Sequence, residues 1–150
     1  MFNMKLRLSK IDGCELPPPA METEGSAGFD LRANGDQVLP PGSVVLIGTG
    51  YRWEIPRGVV GMVCPRSGLA LKHGVTVLNA PGIIDSDFRG EVCVILVNMS
   101  PVPFTILSGD RIAQMALTCL AQECVAEVEI VDELGGTARG EGGFGHTGTA

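Results

Sequence analysis

Short β-branched runs cut by glycine and proline limit this chain more than any other feature. Residues 44–47, 59–64, 75–78, 92–97 and 104–107 are apolar stretches bounded by Gly, Pro, Asn or Ser. They are too short for helices of ordinary length and rich in strand formers. The breaks come from 21 Gly and 10 Pro among 150 residues, about a fifth of the chain against roughly 12 % on average. Strands at this spacing predict an all-β sandwich, barrel or jelly roll. Aromatic residues are only 5 %, so the core between the sheets is aliphatic.

Local signals fill in the rest. Met4-Lys5-Leu6-Arg7-Leu8 alternates as a strand does, and Pro17-Pro18-Pro19 forces an extended connector. Asn34-Gly35-Asp36 and Pro40-Pro41-Gly42 are turns around Val38-Leu39. Residues 67–73 have room for a short helix, with Ser67 as its cap. Residues 110–134 lack Gly and Pro. There Ile112, Met115, Ala116, Cys119 and Leu120 recur at helical spacing, so pattern alone predicts a helix over 111–122. The length suits one domain, over residues 1–134, followed by a tail over 135–150 with seven glycines in 16 residues. Composition makes the tail a flexible end, yet it carries Arg139, Phe144, His146 and Thr147.

Several functions are excluded early. A formal net charge of −6 argues against a protein built on nucleic-acid backbone contacts. It leaves room for a small anion met by a few local cations, and the eight Arg outnumber the three Lys. The opening residues 1–10 have no apolar run, so no signal peptide is expected, and no stretch reaches the ~18 apolar residues of a membrane span. Five cysteines without a CxxC pair fit a reducing cytoplasm. There is no GxxxxGK[ST], HExxH or GxSxG, and His73 and His146 are too few for a His-rich zinc site.

Four segments carry chemistry. Pro65-Arg66-Ser67-Gly68 combines a guanidinium fork, a hydroxyl and a freely turning glycine, which wraps phosphate oxygens or simply ends a strand. Gly82-Ile83-Ile84-Asp85-Ser86-Asp87-Phe88-Arg89-Gly90-Glu91 holds three acids. Strand alternation puts Asp85 and Asp87 on one face, where they make a general base or a solvated polar hairpin. Asp30, in Ala27-Gly28-Phe29-Asp30-Leu31-Arg32-Ala33, needs a partner if buried, either a structural Arg or a metal and its water. Gly109-Asp110-Arg111-Ile112-Ala113-Gln114-Met115 adds an Arg and an amide.

Taken in order, AGFDLRA at 27–33, PRSGLA at 65–70, NAPGIIDSDFRGE at 79–91, GDRIAQM at 109–115 and RGEGGFGHTG at 139–148 resemble the trimeric dUTPases of bacterial type. The resemblance implies an all-β, jelly-roll-like protomer in which 111–131 is mostly strand, overriding the helical pattern. It implies a cytoplasmic homotrimer with sites at subunit interfaces and a C-terminal arm reaching a neighbour. It implies Mg²⁺-dependent hydrolysis of dUTP to dUMP and pyrophosphate, limiting uracil in DNA, with the metal held by phosphates and water rather than by a protein ligand. Neither nucleic acid nor membrane is implied as a partner.

By the same resemblance Asp85 is the base that activates water. Arg66, Ser67, Gly68 and Gln114 hold phosphate, with Arg111 serving the same site or bracing it. Asn79 and the backbone of Ile83, Ile84 and Cys93 read uracil, and Phe88, where Tyr is commoner, packs on deoxyribose. Arg139 reaches the γ-phosphate, Phe144 stacks on the base, and Gly145, His146 and Thr147 donate to phosphate. Two alternatives are a dCTP deaminase-type enzyme of the same fold and a non-catalytic nucleotide-binding β trimer.

Overall fold

The computed structural model describes residues 5–121, 129–133 and 135–139. It contains ten strands and one short helix: β1 (Arg7–Lys10), β2 (Gly28–Arg32), β3 (Gln37–Leu39), β4 (Val44–Glu54), β5 (Val59–Cys64), α1 (Ser67–His73), β6 (Val75–Val77), β7 (Gly82–Ile84), β8 (Glu91–Asn98), β9 (Phe104–Ile106) and β10 (Arg111–Cys119). One four-stranded sheet runs β1-β4-β8-β6 and a second runs β2-β10-β5-β7, with β3 and β9 as a separate ribbon. Every pairing is antiparallel. The expected all-β, jelly-roll-like fold is what forms. Among the described residues no helix is long and apolar enough to cross a membrane.

The core lies between the sheets and follows strand alternation. Along β8, Val92, Val94, Leu96 and Asn98 point inward, while Glu91, Cys93, Ile95 and Val97 are half-exposed. Leu31, Trp53, Ile55, Val63, Ile112 and Met115 complete the interior. Asn98 is tolerated there because its amide donates to the carbonyls of Leu39 and Val102, at 2.9 and 2.8 Å.

β10 shows why the helical pattern misled. It pairs with β2 on one side and β5 on the other, so its backbone groups serve two ladders. A bulge between Arg111 and Ala113 shifts the register against β2. Ile112 and Ala113 are consequently both buried. The apolar step from Ile112 to Met115 imitates helical spacing, but it is a strand carrying one extra residue. β10 ends at Cys119; residues 120–121 and 129–131 are irregular, and 122–128 lie outside the described residues. The helix over 67–73 forms as expected, but its N-cap is Arg66 and no side chain caps it, so the cap assigned to Ser67 is corrected. The Arg66 side chain is turned instead to partners on β2 and β10.

Candidate active site

The β10 bulge builds the first part of the site. Arg111 and Gln114 are an odd number of residues apart and belong on opposite faces of a regular strand. The extra residue puts both on the outer face of the sheet, with Asp30 opposite Gln114 on β2 and Cys64 opposite it on β5. β5 then runs directly into Pro65-Arg66-Ser67-Gly68. The result is a cavity of about 380 Å³ walled by Asp30, Arg66, Ser67, Gly68, Arg111 and Gln114, with Glu22, Ser26 and Gly28 at its margin.

Asp30 orders this cavity. Its side chain is only 13 % exposed and faces Arg111 Nη1 at 3.2 Å and Arg66 Nε at 3.6 Å. Its partners in the structure are these two arginines, the first of the two alternatives that the sequence offered. Arg66 also donates from Nη1 to the Arg111 carbonyl at 2.9 Å. Two fixed contacts on one guanidinium set the plane of the fork that faces the cavity. Gln114 Nε2 donates to the Pro65 carbonyl at 3.0 Å, tying β10 to the loop. Gly28 packs closely here: a Cβ on it would stand 3.2 Å from Gln114 Oε1 and 3.3 Å from the Met115 carbonyl. Glu22, which pairs with both Arg111 and Arg32 at 3.3 Å, was not foreseen from the sequence, where nothing marks it apart from other loop acids.

The second part is the segment from Asn79 to Cys93, which crosses from one sheet to the other. Leu78 N–H donates to the Ile95 carbonyl in the first sheet at 2.9 Å. The chain then passes through a cis Ala80-Pro81 bond, and β7 pairs with β5 in the second sheet. A Cβ on Gly82 would meet the Asn79 amide at 3.2 Å, so Asn79 packs close against the hairpin backbone. β7 is the terminal strand of its sheet among the described residues. Its second edge therefore offers backbone donors and acceptors to a ligand. Ile83 is exposed, Ile84 half-buried and Phe88 exposed. Asp85 and Asp87 lie in the turn after β7, not on one strand face, which corrects the alternation reading. Cys93 is half-buried on β8, and burial, then the Glu91 carboxylate, push its thiol above the ordinary 9.0.

The two parts do not share a cavity. Asp85 borders a separate one of about 700 Å³ with Arg57, Ser86, Asp87 and Arg89. The chain thus brings Arg66, Ser67, Gly68 and Gln114 together in one place and presents Asn79, Ile83, Ile84, Asp85, Phe88 and Cys93 on a separate hairpin. Arg139 is exposed in the tail, whereas Phe144, Gly145, His146 and Thr147 lie outside the described residues. Among the described residues no cluster of His, Cys, Asp and Glu is placed to hold a metal ion.

Comparison with known proteins gives the family. The chain is 52 % identical over 147 residues to a deoxyuridine 5'-triphosphate nucleotidohydrolase of Rhizobium etli, covering 95 % of this chain and 91 % of that one. It is 49 % identical over 150 residues to the protein of the same name from Caulobacter vibrioides, covering 97 % and 95 %. Its fold matches Staphylococcus bacteriophage 80alpha dUTPase solved with dUPNHPP, with a TM-score of 0.87 and 23 % identity over 97 % of this chain and 99 % of that one. A mutant dUTPase of phage phi11 of S. aureus, described for its coordination of a structural Mg(II) ion, matches with a TM-score of 0.78 and 20 % identity over 87 % of this chain and 98 % of that one. The dUTPase family profile matches residues 15–148, and with that span and those relatives the chain belongs to the dUTPase family.

Proposed function

We propose that the chain hydrolyses dUTP to dUMP and pyrophosphate as a cytoplasmic homotrimer with sites at subunit interfaces. The observation that carries this reading is the division of the site. The arginine-lined cavity at Arg66 and the hairpin bearing Asp85 belong to one chain but open separately. A second protomer is then needed to set the phosphate grip of one chain against the base and sugar reader of another. Exposed apolar side chains on β4, Val44 at 52 % and Leu46 at 67 %, support burial against further copies.

The roles follow from the chemistry. Arg66, with its fork fixed by Asp30 and the Arg111 carbonyl, binds phosphate oxygens together with Ser67, Gly68 and Gln114. Asp85, on an exposed turn, takes the proton from the water that attacks the α-phosphorus. The open edge of β7 at Ile83 and Ile84, with Asn79 and the Cys93 backbone, hydrogen-bonds the pairing edge of uracil. Cytosine presents a donor where uracil presents an acceptor, which leaves buried groups unpaired and discriminates strongly. Close backbone leaves no room for the 5-methyl of thymine. Phe88 lies against the deoxyribose.

The residues present suit a divalent ion carried on the substrate. The cavity is lined by cations and by two acids, Asp30 and Glu22, each already paired with two arginines, and Mg²⁺ commonly binds through substrate phosphates and water. When bound there it neutralises phosphate charge. Residues 1–134 form the catalytic domain, and residues 135–150 form the arm that closes on substrate. In the arm Arg139 meets the γ-phosphate, Phe144 stacks on uracil, and Gly145, His146 and Thr147 donate to phosphate.

Incubation with dUTP, dTTP, dCTP and UTP in the presence of Mg²⁺, with pyrophosphate and phosphate assayed separately, tests the reading. Pyrophosphate from dUTP, with the other nucleotides much poorer, is expected. Comparable turnover of all four, or phosphate as product, refutes it. Light scattering that reports a monomer at micromolar concentration refutes the assembly.

A further inference from the structure

The tip of the hairpin holds a contact that the roles above leave unused. Phe88 N–H donates to the Asp85 carbonyl at 3.2 Å and closes the turn. Arg89 Nη1 donates to the carbonyls of Ser86 and Phe88, at 2.7 and 2.9 Å, and ties the same backbone from outside. Over this fixed turn the Phe88 ring lies directly on Gly90. A Cβ built on Gly90 would stand 2.6 Å from the ring Cζ, 3.0 Å from Cε2 and 3.4 Å from Cε1. Carbon atoms pack best at about 3.5–4.0 Å, so ring and methyl cannot share that space.

Nothing in the backbone explains a glycine there. Gly90 is absent from the glycines with positive φ, which include Gly50, Gly74 and Gly109. Alanine fits that φ, and the three atoms nearest to its Cβ all belong to one aromatic ring. That ring is 40 % exposed, so solvent lies on its outer side. A methyl at position 90 therefore costs the fold little and moves Phe88.

We propose that Gly90 is a specificity-positioning residue: by lacking a side chain it seats the Phe88 ring against the hairpin, where the ring excludes a 2′-hydroxyl from the sugar site. The inference rests on the reading of Phe88 as the sugar-facing ring and names what holds it in place.

The test uses the full chain with Gly90→Ala, Phe88→Ala and the double variant. Three things are measured: kcat/KM for dUTP and for UTP, the melting temperature, and the NMR shifts of the Gly90 protons. In the wild type the Gly90 protons are moved upfield by the ring above them, and in Phe88→Ala they return to ordinary values. Gly90→Ala melts close to the wild type and loses about 10- to 100-fold of the dUTP-over-UTP preference, mainly through better UTP turnover. Phe88→Ala loses at least as much, and the double variant loses no more than Phe88→Ala. Full preference in Gly90→Ala alongside lost preference in Phe88→Ala overturns the inference and leaves the role of Phe88 standing. Losses that multiply in the double variant also overturn it, because Gly90 then acts by another route. Full preference in Phe88→Ala overturns the sugar-facing reading and the inference with it. Ordinary Gly90 shifts in the wild type refute the seat itself, whatever the kinetics.

Discussion

Asp30→Asn separates two ways in which an acid can serve an anion site. The substitution keeps volume and shape but removes the charge that faces Arg111 Nη1 at 3.2 Å and Arg66 Nε at 3.6 Å. A hydrogen bond to a charged group contributes about 1.5–3 kcal/mol when buried. Asp30 is 13 % exposed, but Arg66 and Arg111 are 29 % and 38 % exposed and rehydrate in part. Glu22 also keeps one contact to Arg111. The expected loss is therefore about 1–2 kcal/mol of stability, or roughly 2–8 °C in melting temperature for a chain of this size.

The effect on substrate is the sharper measure, because two forces oppose each other. Removing a carboxylate beside an anion site relieves about 1 kcal/mol of repulsion in a wet cavity. Releasing the Arg66 fork loses a charge-assisted grip of about 1.5–3 kcal/mol. Orientation wins, and the dissociation constant for a non-hydrolysable imido analogue of dUTP rises by about tenfold. Calorimetric titration of the analogue, beside thermal melts, reads both quantities. Binding as tight as in the wild type, or tighter, refutes the claim that Asp30 works by holding Arg66.

Three further outcomes are expected. Asp85→Asn lowers kcat by about 10²–10⁴ while the analogue still binds, and near wild-type kcat shows that another group activates the water. Deleting residues 139–150 leaves the melting temperature nearly unchanged but lowers dUTP hydrolysis by orders of magnitude, since γ-phosphate charge and closure are both lost; unchanged turnover makes the tail a solvated end. The Cys93 thiol is held above 9.0 by burial and Glu91, so its protonated form favours the folded state, and that contribution is full below the ordinary value and lost as pH rises through the raised one. Melts at about pH 8 and about pH 10 are expected to fall further apart in the wild type than in Cys93→Ala, and equal gaps refute the shift.

Much of the fold was legible because its signals are local. The run 59–64 forms β5 with the bounds that Gly58 and Pro65 mark, and 75–78 and 104–107 form β6 and β9 one residue shorter. Glycine and proline fix where strands end through their own dihedrals, with no knowledge of neighbours. The order of the five motifs carried the family in the same way. Where local pattern failed, a distant partner had decided. Ser67 stands at a helix start, but no side chain caps it, and its neighbour Arg66 is committed to Asp30 and Arg111. Asp85 and Asp87 were assigned a strand face, but β7 ends at Ile84 and the acids fall in the turn.

The sequence by itself determined that these strands exist, where most of them stop, and which residue types carry the chemistry. Only the tertiary structure decided which of them meet. The register of β10 is set by distant strands, with Gln114 opposite Asp30 on β2 and Cys64 on β5, and the side-chain contacts from Arg111 to Asp30 and from Gln114 to Pro65 span 81 and 49 residues. The bulge that turns Arg111 and Gln114 to one face arises within that pairing. A strand read alone alternates strictly, and it gains an extra residue only where a partner strand offers one residue for its two.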